Sequence, residues 1–257
     1  MFSSSRSLSW CEAILLVADE RGHNTIIVVP GANGELSPED VTAAQETLQS
    51  ARVVVTQLEV SPSTTCAAMW AARSGDDSAT WPITICNPAP ARTDLHTTMF
   101  DATDILCPNE TEAQLLTDMR VGSTEECEQV VRALLGKSVP VVVLTRGAHG
   151  AILGVQHDAS TTATVRAIPC PPVPAEADVV DTVGAGDALV GGLAYFLSQL
   201  TRTMTSPRRI LEDVDVLEDA IRRAMTVASA SVTRKGAQSS FFDRAELPAD
   251  LFQDDAR

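Results

Sequence analysis

Asp181-Thr182-Val183-Gly184-Ala185-Gly186-Asp187 is a Gly-rich turn with an acid at each end. It feeds directly into Ala188-Leu189-Val190-Gly191-Gly192-Leu193-Ala194-Tyr195-Phe196-Leu197, an apolar run long enough for a buried helix. A helix start exposes unpaired backbone N–H groups and the positive end of the peptide dipole, and both attract anions. Gly184 and Gly186 carry no side chain, so a phosphate can approach the backbone around Ala185 closely. Asp187 then stands at the helix entrance beside the anion. Such a pairing suits an enzyme that takes a proton from a hydroxyl while that hydroxyl attacks a phosphoryl group. The same residues also read as an ordinary capped helix, because Asp is a favoured cap and Gly a favoured turn residue.

The elements that must position this turn alternate along the chain. Residues 13–18 and 25–29, joined by the polar segment 19–24, read as a β-hairpin. Ser37-Pro38-Glu39-Asp40 opens a helix, with Ser37 as cap and Pro38 in the first turn. Beyond it, short β-branched strands at residues 53–55, 83–85 and 141–144 are separated by helical stretches at 64–73, 110–117, 124–135 and 217–234. Alternation of this kind predicts right-handed βαβ units and a mostly parallel sheet, whose ligands bind beyond the carboxyl ends of the strands. Residues 168–174 read as an extended connector into the Gly-rich turn, and residues 202–207 as a surface loop. Gly136-Lys137-Ser138 lacks the upstream glycine of a P-loop, since Val131 stands there, and is expected to end a helix. Gly184-Ala185-Gly186 lacks the third glycine and the preceding strand of a dinucleotide fingerprint.

Composition narrows the classes. The 257 residues suffice for one large α/β domain. With 34 acidic against 19 basic residues the net charge is −15, which argues against nucleic acid as a partner. Six scattered cysteines without a Cys-x-x-Cys pair favour reduced thiols and a cytoplasmic location over a disulfide scaffold or zinc site. No apolar run reaches the ~18 residues of a membrane span. The serines near the N-terminus only faintly suggest a targeting peptide, and Glu12 interrupts the stretch that follows.

The Gly-rich turn closely resembles the second signature of the ribokinase family of carbohydrate kinases. Six other segments resemble that family in the expected order: residues 30–34 (PGANG), 57–59 (QLE), 87–91 (NPAPA), 108–113 (PNETEA), 144–150 (LTRGAHG) and 232–238 (VTRKGAQ). The NPAPA and TRKGAQ blocks are similar to the ribokinases within it. This resemblance implies a three-layer α/β fold with a mostly parallel sheet and a β lid hairpin. It also implies transfer of the ATP γ-phosphate to the 5-hydroxyl of D-ribose, with Asp187 as base and the N–H groups around Gly184, Ala185 and Gly186 as anion hole. Asn109, Glu110 and Glu112 match the motif that organises Mg²⁺ and the phosphates, largely through water. Thr145, Arg146, Gly147, Ala148, His149 and Gly150 match the segment bordering ATP, although His149 reads more simply as a solvated turn residue. Met225 lies where the family sets a side chain against adenine, and a Met at helical spacing is also ordinary core. Asp181, Val183, Ser231, Arg234, Gly236 and Ser240 match a K⁺ site built mainly from backbone oxygens. Glu59 matches an acid that bonds sugar hydroxyls.

Residues 1 to about 12 match nothing in the family. The family's first strands, its sugar-gripping Asp, a Gly-Gly-x-Gly-x-Asn motif and half of the lid have no counterpart in this sequence. The resemblance therefore divides the chain into residues 1–35, an unmatched N-terminus with a lid remnant, and residues 36–257, a nucleotide-binding core. An exposed sheet edge is expected, and the incomplete lid counts against a homodimer of the kind relatives form. Two further readings follow: another sugar or nucleoside kinase of the same superfamily, or an ATP-binding form without turnover.

Overall fold

The computed structural model describes residues 13–18, 24–75, 77–157, 162–173 and 177–256. Strands β1 (Ala13–Ala18) and β2 (Asn24–Val29) pair antiparallel as a separate two-stranded sheet, with Ala13 opposite Val29, which is the expected hairpin. The main sheet holds β3 (Val53–Thr56), β4 (Ile83–Cys86), β5 (Ile105–Leu106), β6 (Val141–Thr145), β7 (Ala151–Val155) and β8 (Thr164–Ile168) in sequence order. The β3–β4, β4–β5 and β5–β6 pairs are parallel, while β7 and β8 extend the sheet antiparallel. Among the described residues β3 is an open edge, as expected, and its Val55 is exposed.

Local sequence explains the helices. Helix α1 (Pro38–Ala43) begins with a Ser37–Asp40 capping box and Pro at the first turn; α2 (Gln45–Ser50) follows it after a one-residue break at Ala44. Helix α3 (Pro62–Ala72) is capped by Ser61 and α4 (Thr97–Asp101) by His96. Helices α5 (Glu110–Thr117) and α6 (Thr124–Leu135) have the bounds read from the sequence, each fixed by a capping box, Asn109–Glu112 and Ser123–Glu126. Gly136 ends α6, and Ser138 turns left-handed just beyond, so the Gly-Lys-Ser run is a helix exit. Helix α7 (Ala185–Leu200) carries the apolar run, and α8 (Val214–Ser231) packs along it.

Strand alternation then sets three layers. Ile83, Ile85, Val141 and Val143 face α7 and α8. Cys86, Leu106, Val142 and Leu144 face the other layer, with Met69 of α3 and Val130, Val131 and Leu134 of α6. Small residues let the layers close: a Cβ at Gly192 would lie 3.2 Å from Ala224 Cα, and one at Gly154 would lie 2.3 Å from Val131 Cγ1. Helix α8 both starts and stops three residues before the expected 217–234. Its end is drawn off because the Val232 carbonyl accepts the N–H groups of Val180 (2.8 Å) and Asp181 (3.2 Å), tying the α8 exit to the Gly-rich turn.

Candidate active site

Because β3 to β6 run parallel, the segments that follow them emerge at one edge of the sheet. Glu59 lies three residues beyond β3, half-buried; Asn109 and Glu110 follow β5; Thr145 ends β6. Asn109 bridges directly to Thr145, and the Thr145 N–H donates to the Pro108 carbonyl at 2.9 Å.

Asn109 is above all a helix cap. Its Oδ1 accepts the Glu112 N–H (2.9 Å), while Glu112 accepts the Asn109 N–H (2.8 Å) and side-chain amide (2.9 Å). Both Glu112 oxygens are thus engaged by protein. Burial raises the Glu112 pKa, the two Asn109 bonds oppose that rise, and the charge of Asp187 adds to it. Asn109→Ala removes the cap and one Glu112 partner, and is expected to cost about 1–2 kcal/mol in a urea unfolding titration. An unchanged midpoint would mean that water replaces the cap without loss.

Glu110 pairs with Arg146 Nε at 3.4 Å, and Arg146 Nη1 donates to Thr124 Oγ1 at 3.0 Å. Thr124 was not singled out in the sequence; an isolated Thr one residue past a cap carries no signal of a long-range partner. The β6–β7 turn closes through Arg146 N–H to Gly150 carbonyl (2.8 Å) and Gly150 N–H to Gly147 carbonyl (3.0 Å). Gly147 and Gly150 take φ of 51° and 85°. Gly147, Ala148 and His149 are exposed, so His149 fits its plainer reading as a solvated turn residue.

The Gly-rich turn differs from the other helix entrances at this edge. No side chain caps α7: its N-cap is Gly184 in a left-handed conformation, φ 82°. The Ala185 N–H turns back to the Thr182 carbonyl at 3.3 Å, while Gly186 and Asp187 occupy first-turn positions whose N–H groups a helix leaves without internal partners. A Cβ at Gly184 would meet Ala237 Cα at 3.0 Å and the Phe241 ring at 3.2 Å, whereas one at Gly186 would meet nothing within 4 Å. The turn is therefore packed on the Gly184 side and open on the Gly186 side. Asp187 reaches solvent, yet the surrounding chain desolvates its carboxyl enough to raise its pKa, and no other cause contributes.

Asp181 fixes the turn to the segment after α8. Its carboxylate accepts the N–H groups of Gly236 (2.8 Å) and Val183 (3.0 Å), and these bonds hold its pKa below the usual Asp value. The Asp181 bonds join the 181–183 and 236 segments of the predicted K⁺ set. Ser231 and Ser240 are buried with hydroxyls bonded to the Ala228 and Ala237 carbonyls, and the Arg234 side chain points away to Glu246. Any part these three play at a cation falls to their backbone carbonyls. Met225 is 3% exposed, inside the core between α7 and α8.

Residues 11–244 match the description of the pfkB family of carbohydrate kinases. The chain belongs to that family. As a pfkB-family chain it is 34% identical over 239 residues to the ribokinase of Mus musculus, covering 92% of this chain and 66% of that protein. It is also 34% identical over 219 residues to the deoxyribokinase of Salmonella typhi, covering 85% of this chain and 62% of that protein. The chain thus spans just under two thirds of the length of these curated relatives. Among solved structures, the ribokinase of Giardia lamblia superposes with a TM-score of 0.79 at 29% identity, over 91% of this chain and 69% of that one. The Arabidopsis thaliana ribokinase complexed with ribose and ATP gives a TM-score of 0.70 at 26% identity, over 94% of this chain and 69% of that one. Among the described residues no helix is long and apolar enough to cross a membrane.

Proposed function

We propose that this chain carries the phosphoryl-transfer half of a ribokinase-type reaction, moving the ATP γ-phosphate to the 5-hydroxyl of D-ribose. The observation that carries the reading is the entrance of α7, a helix start without a side-chain cap, open at Gly186, with the raised carboxyl of Asp187 beside it. The ribose hydroxyl attacks the γ-phosphorus in line as its proton passes to Asp187, and the bond to the β-phosphate oxygen breaks to release ADP. The N–H groups at residues 185–187 hold the charge that builds on the transferring phosphoryl oxygens. Glu59 receives the sugar. Thr145 and the exposed Gly147-Ala148-His149 turn border the nucleotide, and Arg146 offsets phosphate charge.

The residues fit the cations the family reading implies. Glu112 has both oxygens occupied by Asn109 and Glu110 faces Arg146, so the pair suits Mg²⁺ held through water rather than by direct ligation. When bound, Mg²⁺ supplies charge neutralisation at the phosphates. Carbonyl oxygens near Val183, Ser231, Arg234 and Ser240, with Asp181 holding two of these segments together, suit K⁺ beside the anion hole. Asp181→Asn keeps one of two acceptors and is expected to reduce the ratio of rates in K⁺ and Na⁺ toward one. Equal rates in the two salts for the parent chain would remove the cation site altogether. Because the Asp181 pKa is lowered, the carboxylate's stabilising effect is complete above the ordinary Asp value. It is lost only as pH falls through the lower folded value.

The test is phosphorylation of D-ribose by the purified 257-residue chain with ATP, Mg²⁺ and K⁺, with 2-deoxy-D-ribose and nucleosides in parallel. Ribose turnover supports the reading. Preference for 2-deoxyribose would favour the activity named for the Salmonella relative. ATP binding without turnover would leave only the nucleotide half in place.

A further inference from the structure

At the end of the strands away from Asp187, a cleft of about 700 Å³ opens between the residues leading into β6 and the 3-10 turn Pro207–Glu212. That volume lies within the ~300–1,000 Å³ of small-molecule sites. Its charge is unusual for so acidic a chain. Arg208 and Arg209 line it with His157, Ser138, Ser206 and Glu212. The exposed Arg209 side chain makes no ion pair or hydrogen bond with a described residue; its backbone N–H donates to the Ser206 carbonyl at 3.3 Å.

Arg208 donates from Nε (3.1 Å) and Nη2 (2.7 Å) to Asp104 Oδ1, and Asp104 is fully buried at the start of β5. The same oxygen takes Arg73 Nη2, so two guanidiniums share one carboxylate. Arg73 Nε is buried without a hydrogen-bond partner. Both guanidiniums lie against Trp81, at 5.9 Å for Arg73 and 5.7 Å for Arg208. Arg73 itself does not line the cleft, but with Arg208 and Arg209 it leaves net positive charge on this side, and among the described residues Glu212 is the one carboxylate in the lining. An anion at the cleft would offset that charge. Arginine forks match phosphate oxygens in particular; the Arg209 fork is open for this, while Arg208, with Nε and Nη2 on Asp104, offers Nη1. Ser138 is held left-handed at the lip with φ 72°, a conformation uncommon outside glycine.

We propose that this cleft is a second small-molecule site that takes an organic phosphate ester, with Arg208 and Arg209 on the phosphate and the Ser138 and Ser206 hydroxyls on a polyol body. Trp81 reports on it, because a phosphate drawing on Arg208 alters the charge beside its ring. In the chain carrying Trp10→Phe and Trp70→Phe, Trp81 is the sole indole. Titration with glucose 6-phosphate is expected to change its emission saturably below about 10 mM, with no change from glucose. Adding Arg209→Glu, an exposed position, should weaken the response at least about tenfold, while Gly186→Glu at the α7 entrance leaves it intact. A flat titration, an equal response in Arg209→Glu, or a response lost in Gly186→Glu would overturn the proposal. Inorganic phosphate binding as tightly as the ester would overturn the assignment of a polyol body.

Discussion

Asp187→Ala is expected to lower ATP-dependent phosphorylation of D-ribose by about 10²–10⁴-fold, the usual contribution of a positioned general base. The loss should fall on kcat, because in the proposed reaction Asp187 accepts a proton only as the hydroxyl attacks. Desolvation raises its pKa, so the acid limb of kcat against pH should lie above the ordinary Asp value in the parent chain. Stability separates this role from a structural one. With the folded pKa raised above the unfolded value, the folded chain binds more protons between the two, and stability falls as pH rises through that window. The charge therefore opposes folding at neutral pH. Asp187→Asn should unfold at pH 7 at no lower temperature than the parent, while losing turnover. A variant that unfolds earlier and keeps its kcat would make Asp187 a helix-start residue and nothing more.

Some of this site was legible because its signals are local. A capping box needs only two residues three apart, so α5 and α6 were bounded correctly from Asn109–Glu112 and Ser123–Glu126. The Gly-rich turn was legible for the same reason: an acid, two glycines and an apolar run adjoin in the chain. Strands β7 and β8 were not recognised. Gly154 interrupts the β-branched pattern of β7, and the requirement for glycine comes from Val131 of α6, 23 positions away in sequence. The α8 end was misplaced because the Val232 carbonyl is claimed by Val180 and Asp181 from a distant segment. The Arg146–Thr124 bond and the Arg73–Asp104–Arg208 cluster likewise exist only once the chain has folded. What stayed hidden is what long-range packing decides.

Gly150→Ala is expected to be the most damaging single substitution in the β6–β7 turn, with Gly147→Ala as its control. Both glycines have positive φ, 51° at Gly147 and 85° at Gly150, and a motif reading treats them alike. Their surroundings differ. A Cβ at Gly147 meets no atom within 4 Å, so alanine there bears only the left-handed backbone cost of about 1–2 kcal/mol. A Cβ at Gly150 would fall 2.0 Å from the Ile168 carbonyl oxygen and 2.6 Å from the Cys170 N. These are backbone atoms at the end of β8 and cannot rotate away, so the strand itself must shift. The Ala151–Ile168 pairing beside it would open, and with it the connector that leads to the Gly-rich turn. A loss of about 4 kcal/mol or more is expected for Gly150→Ala, in the range reserved for core or backbone disruption. Urea unfolding of the two variants measures the difference directly. Equal losses would mean that β8 yields without cost, and that the close approach at Gly150 does not hold the turn in place. A markedly larger loss in Gly150→Ala than in Gly147→Ala would show that this glycine serves β8 packing.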